Sequence, residues 1–321
     1  MFFSVHNMAM AVDDQLAKLP VQNEKPGLIG FYFHSVFRNN KEIAEDVCDP
    51  QQAMTLGDYR VLIETFLNGG YEFVASDNIL TGLSPHKKYV YLTFDDGYFN
   101  NWYMVDVLNE FQVPATFFIT SQHVLMQKSF WWDALYRNLR KSGATLATIH
   151  KEGQKLKQMH VTEIERVLHD EFGSRALTPI GDIDRPFTET ELVSFAGKRF
   201  VNLGNHTSGH AILGRCDRAE VVRQVMECQD DLKRIVGFSP SAIAYPDGGY
   251  SREVLEIIRD LGFQVGVTTV RGKNYFPLKA SLLELKRFTL RSGYDVTAQS
   301  RIVRLDYSIN NFLSALKRPV R

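Results

Sequence analysis

The sequence predicts an α/β fold: a distorted, incomplete TIM-like (β/α) barrel of about seven strands with a helical insertion on its rim. Three observations predict it. Short apolar runs of strand length alternate with longer segments of helical periodicity. Polar residues able to do chemistry follow directly after several of those runs, and the alternation is interrupted between residues 121 and 198. In barrel enzymes the C-terminal ends of the strands carry the active site, so polar residues placed after four separate runs argue for one shared rim.

The strand-like runs lie near residues 28–33, 71–76, 89–94, 115–119, 199–204, 241–245, 263–268 and 286–290. Several are dense in aromatic and β-branched residues, which suit a buried pleated surface. Between 121 and 198 the rhythm gives way to Phe130-Trp131-Trp132-Asp133-Ala134-Leu135, a basic helix through Lys141, and an amphipathic stretch from Thr162 to Phe172. The tryptophans are of the kind that stack on sugar faces, and equally of the kind that pack an inserted helix against a body. A helix begins at Asp217, with Glu220 set to complete a capping box. Its apolar face of Val221, Val225, Leu232 and Val236 ends at Gly237. Another runs from Ser251 to Gly262, with Val254, Leu255 and Ile258 facing inward. The domain reading is an N-terminal extension over 1–27 and one barrel over 28–321 that carries the insertion at about 121–198.

Composition bounds the function. In 321 residues, 44% hydrophobic and 12% aromatic content suits a globular enzyme. Thirty-seven basic residues balance thirty-seven acidic ones, which leaves no broad field to attract nucleic acid or an anionic membrane. Cys48, Cys216 and Cys228 are odd in number and lack a Cys-x-x-Cys spacing, which fits a reducing compartment. The first residues show no basic cluster followed by an apolar core, and no stretch approaches 18 consecutive apolar residues. The expectation is a cytoplasmic protein without a transmembrane segment. His6, His86, His123, His150, His160 and His169 have no partners in sequence and are expected at the surface.

The run Tyr91-Leu92-Thr93-Phe94-Asp95-Asp96-Gly97 ends in two adjacent carboxylates that repel each other unless a cation or a shared proton intervenes. Asp-Asp-Gly is equally ordinary turn chemistry. About 110 residues later, Arg199-Phe200-Val201-Asn202-Leu203-Gly204-Asn205-His206-Thr207-Ser208-Gly209-His210 ends in two imidazoles four apart. No glutamate follows His206, and Gly209 predicts a loop, so this is not a zincin helix. Two histidines and one aspartate still form a three-ligand set with open positions, as in catalytic zinc sites, and leave one aspartate free to act as a base.

These segments resemble the polysaccharide deacetylases, the NodB-homology domain of carbohydrate esterase family 4. Thr93 to Gly97 is similar to the first motif and His206 to His210 to the second. Tyr245-Pro246-Asp247-Gly248-Gly249-Tyr250 is similar to the proline-containing third, and Pro114 to Phe118 and Leu285 to Phe288 also match. The resemblance covers roughly residues 28 to 291. It implies a metal-dependent hydrolase that removes an N-acetyl group from a carbohydrate amino sugar. Asp95 would be the base, and Asp96, His206 and His210 would bind a divalent metal, zinc first among the transition metals. Leu28 to Phe33 ends in His34-Ser35, similar to the segment that supplies the acid in rearranged members, so His34 takes that role. Ala244 stands where many members have the arginine that orients the base. Arg287 is the candidate substitute, or else forms a plain surface ion pair. Tyr245, Asp247 and Tyr250 are the substrate-binding candidates, with Asp247 free to pair with Arg287 instead. The same site would also serve an O-acetyl ester or another small C-N bond. A non-haem iron oxygenase or a non-catalytic sugar binder fits the two acids less well.

Overall fold

The computed structural model describes residues 24–278, 282–290 and 292–305. Residues 1–23 of the expected extension, with His6, and residues 306–321 lie outside the described residues. The strands are β1 (Gly27–Phe33), β2 (Tyr71–Phe73), β3 (Lys88–Phe94), β4 (Ala115–Ile119), β5 (Val201–Asn205), β6 (Ala242–Ala244), β7 (Val265–Val267) and β8 (Arg287–Phe288). Seven of them form the path β7-β6-β5-β4-β3-β1-β8, all pairings parallel, and β2 pairs with β3 off this path. Leu285, just before β8, bridges Val267 of β7 while β8 pairs with β1, so the sheet curls into a nearly closed barrel.

β2 is shorter than its apolar run suggests. Asn78 Oδ1 accepts from the Ala75 amide at 2.9 Å, which starts the helix Ser76–Thr81 where the strand was expected to continue. Side chains alternate across the strands as the pleat requires. Ile29, Phe31 and Phe33 of β1, Val90, Leu92 and Phe94 of β3 and Phe117 of β4 pack in one core with helices such as Leu56–Asn68. The opposite face, with Leu28, Tyr89, Tyr91 and Phe118, forms a second core inside the barrel with β6 and β7. Asp95 follows Tyr89, Tyr91 and Thr93 at the same parity, so the chain itself aims it inward.

The insertion contains the helices Ser121–Met126, Trp131–Lys141, Leu146–Leu156, Val161–Phe172 and Glu189–Ala196. It has its own small core of Trp131, Ala134, Leu135, Ile164, Leu168, Ala176 and Leu177. A buried ion pair, Arg137 to Asp184 at 2.6 Å, ties its first long helix to its return segment. Downstream, Asp217 Oδ1 accepts from the Glu220 amide at 2.8 Å, but the Glu220 carboxylate pairs with Arg223 and Gln224. The expected capping box at the helix Arg218–Val236 is therefore half formed. His123 departs from its expected exposure: it is buried and stacks on Phe130 at 4.3 Å between ring centroids. All three cysteines are free thiols. No helix among the described residues is long and apolar enough to cross a membrane.

Candidate active site

His34 follows β1, Asp95 and Asp96 follow β3, His206 follows β5, and Asp247 lies just beyond β6. The parallel topology brings these ends to one rim, and with His210 they line one cavity of about 560 Å³ between the barrel and the insertion.

The two carboxylates sit in opposite surroundings. Arg287 forks onto Asp95, with Nη1 donating to Oδ1 at 2.7 Å and Nη2 to Oδ2 at 2.8 Å. The guanidinium is itself fixed, since Nη1 also donates to Thr93 Oγ1 at 2.8 Å and Nε to the Thr268 carbonyl at 3.0 Å. A long side chain reaches here because β8 pairs Arg287 with Gly30, where a Cβ would stand 2.9 Å from Arg287 Cγ. Burial opposes the charge on Asp95, yet Arg287 and then His206 outweigh it and hold the carboxyl below the ordinary aspartate range.

Asp96 turns the other way. Its φ of 77°, followed by Gly97 at 88°, reverses the chain and sends its carboxylate toward the second motif. There Oδ1 lies 3.4 Å from His206 Nε2 and 3.3 Å from His210 Nε2. Neither approach makes a hydrogen bond, so both Asp96 oxygens are buried without a partner. Burial works against this charge too, but His34, His206 and His210 hold the carboxyl well below its usual range. The three residues offer donor atoms within 4.8 Å of one another. An orphaned buried carboxylate facing two imidazoles is the arrangement a divalent cation would satisfy, and the donor types suit zinc.

The histidine loop is built to hold that arrangement. His206 Nδ1 lies 2.9 Å from the Ala244 carbonyl, an acceptor only, so Nδ1 carries a proton and Nε2 is turned toward Asp96. Asn205 Oδ1 accepts from the Thr207 amide at 2.8 Å, and Gln224 accepts from the Ser208 and Gly209 amides, each at 2.8 Å. Thr207 and His210 take left-handed backbone at φ 67° and 57°, so the segment is a tight loop, as Gly209 suggested. His34 sits across the cavity with Nδ1 2.9 Å from Gln52 Oε1.

The remaining candidates fall elsewhere. Asp247 lines the cavity, but its carboxylate pairs with Lys157 of the insertion and not with Arg287. Tyr245 is buried outside the cavity and donates to the Leu283 carbonyl at 3.0 Å. Tyr250 stacks on it and reaches Glu284. Tyr245 follows β6 at the parity of Ile243, which packs with the helix Arg252–Asp260, so its ring lies on the helical side of the sheet.

Several site residues escaped the sequence reading. Tyr32, Gln52 and Lys157 are isolated in sequence and meet the site by long-range folding. Trp132 packs on His210 at 4.6 Å between centroids and donates from Nε1 to Tyr98 at 2.8 Å; Tyr98 in turn donates to Asp133 at 2.7 Å. The aromatic run pointed to Trp132, but nothing pointed to Tyr98.

The sequence pattern of the polysaccharide deacetylase family matches residues 82–172 and 173–266. No curated protein matches the chain by sequence. Among solved structures, the Streptococcus pyogenes deacetylase PplD in complex with acetate is 17% identical, with TM-score 0.56, covering 92% of this chain and 100% of that one. IcaB from Ammonifex degensii is 16% identical, with TM-score 0.58 and coverage of 88% and 98%. The de-N-acetylase from Aggregatibacter actinomycetemcomitans is 14% identical, with TM-score 0.58 and coverage of 85% and 99%. At such identities the likeness establishes the fold.

Proposed function

Because the chain belongs to the polysaccharide deacetylase family, we propose that it is a metal-dependent hydrolase that removes an N-acetyl group from an amino sugar of a glycan or glycan precursor. One observation carries this reading. Of two adjacent buried carboxylates, Asp95 is neutralised by the Arg287 fork, while Asp96 makes no hydrogen bond and its Oδ1 faces His206 and His210. Held by Asp96, His206 and His210, a divalent cation such as zinc would polarise the acetyl carbonyl and lower the pKa of water.

The chain's own residues supply the rest. Asp95, ionised and oriented by Arg287, takes a proton from the attacking water. His34, with Nδ1 engaged by Gln52, offers Nε2 to the departing amine. Asp247 lines the cavity and offers its backbone amide to the developing oxyanion.

Acetate release from N-acetylated sugars, oligosaccharides and lipid-linked precursors, with and without chelator, tests the reaction. Release is expected to stop with chelator and return with zinc, and Asp95→Asn is expected to abolish it while the protein still takes up metal. Release indifferent to chelator would overturn the metal assignment. His34→Ala is expected to lose activity with metal content unchanged.

A further inference from the structure

The cavity has two chemically distinct halves. Its barrel half is polar, with Tyr32, His34, Gln52, Asp95, Asp96 and the histidine loop. The insertion half is mainly apolar: Leu135, Leu146, Ile149, Met159, Val161 and Ile164 line the same space beside Trp131 and Trp132, with Tyr136, His150, Gln154 and Lys157 as its polar groups. Some of these also serve the insertion's own core, but Leu146 and Met159 do not, and they remain 60% and 45% exposed. Large aliphatic side chains open beside a catalytic centre give a ligand's apolar part a surface to cover, and covering it is favourable. The polar groups of this wall, Tyr136, His150, Gln154 and Lys157, lie beside a continuous set of aliphatic side chains that a hydroxyl-rich glycan would leave uncovered. Lys157 on that wall is engaged by Asp247.

The wall is fixed on two sides. Arg140 and Tyr136 of the helix Trp131–Lys141 both bind Asp46, and Asp133 Oδ1 accepts from the Asp49 amide at 2.9 Å, which fastens the insertion to the segment after β1. At the other end Lys157 meets Asp247, and His160 lies 3.4 Å from Glu220. The insertion thus spans the rim from the segment after β1 to the segment after β6. This gives the cavity a second wall that is fixed to the barrel at both ends.

We propose that the substrate is an amphipathic glycoconjugate: an N-acetylated sugar at the end of a short glycan, carrying an aliphatic aglycone that packs against Leu146, Ile149 and Met159. The proposal rests on the deacetylase reading for the polar half, and it adds the substrate class for the apolar half.

Binding and turnover test it separately. Quenching of tryptophan fluorescence, which Trp131 and Trp132 report from the cavity wall, gives Kd for an N-acetylhexosamine, its hexyl glycoside and its linear tetramer. The hexyl glycoside is expected to bind about tenfold tighter than the free sugar, the effect of burying about two methylene groups. In Leu146→Asn combined with Ile149→Asn that ratio is expected to fall to about two or less. Equal affinity for free sugar and hexyl glycoside, tightest binding of the tetramer, or a ratio unmoved by the double variant would each overturn the proposal. Comparing hexyl with geranyl glycosides distinguishes a saturated from an isoprenoid chain, and tighter binding of either than of free sugar supports the wall. Absence of acetate release from every compound would overturn the deacetylase reading, and the affinity ratio would still decide the apolar wall.

Discussion

Asp95 and Asp96 are neighbours in the chain and nearly inaccessible, yet the backbone sends one into the barrel beneath Arg287 and the other across a left-handed turn toward two imidazoles. The physics of the two positions therefore diverges, and so do their variants. Arg287→Met removes the counter-charge from a buried carboxylate and leaves it uncompensated, which is expected to cost about 3–5 kcal/mol of folding stability. Urea unfolding checks this, and a loss below about 1 kcal/mol would mean that another group carries the Asp95 charge. Asp96 is the converse case. Without metal its oxygens make no hydrogen bond and only the nearby imidazoles offset its charge, so Asp96→Asn is expected to lose the stability that a bound metal adds. Added zinc at a hundredfold excess over its Kd should stabilise the wild type by about 2.7 kcal/mol and leave the variant unmoved. A variant that gains as much from zinc as the wild type would take Asp96 out of the ligand set.

At the level of elements, the sequence shows most clearly what is buried uniformly. β1, β3 and β4 are almost wholly enclosed, so their apolar runs stand out, and the strand-end rule finds His34, Asp95, Asp96 and His206 directly. Legibility fails where structure depends on partners distant in sequence. Periodicity says which face of an element is buried but not what lies against it, so the fork of Arg287 on Asp95 was one option among two, and the pairing of Lys157 with Asp247 was invisible. Of the third motif, Asp247 lines the cavity while Tyr245 and Tyr250 pack on each other outside it, a division that depends on the turn after β6 and not on periodicity. The helix Leu146–Leu156 was missed because Gly153 and its charged residues blur the apolar stripe. The insertion that contains it depends on a paired charge: Asp184 accepts from Arg137, from Ser129 and from the amides of Ile180 and Gly181. Asp184→Ala strands the Arg137 guanidinium and is expected to cost about 3–5 kcal/mol. Hydrogen exchange should locate that loss in residues 129–184 with β3 and β4 still protected; uniform loss across the barrel would mean that the insertion has no separate stability.

For the whole molecule, closure of the barrel opposite the active site depends on a carboxylate. Glu24, just before β1, binds Arg304 of the helix Val296–Leu305, Lys88 at the start of β3 and the Tyr71 hydroxyl of β2. Val296 and Val303 of that last helix share the outer core with Leu62 and Phe66, so Glu24 fastens elements from the two ends of the described chain around one sheet. This face carries no catalytic candidate, and its effect is expected on stability alone. Burial opposes ionisation of Glu24, but Arg304, Tyr71 and Lys88 outweigh it and hold the carboxyl below the ordinary glutamate value. A depressed folded-state pKa stabilises the fold above the unfolded value of about 4.3, and that contribution disappears as the pH falls below it toward the folded value. Glu24→Gln should therefore be less stable than wild type by about 1–3 kcal/mol at pH 7. The gap should narrow as the pH falls below about 4.3 toward the folded value, because the unfolded wild type then takes up a proton that the folded Glu24 resists. Chemical denaturation at pH 7 and pH 3.5 measures both differences. A gap that stays constant between them would show that Glu24 acts through hydrogen bonding and packing, and that the cations around it draw nothing from its charge.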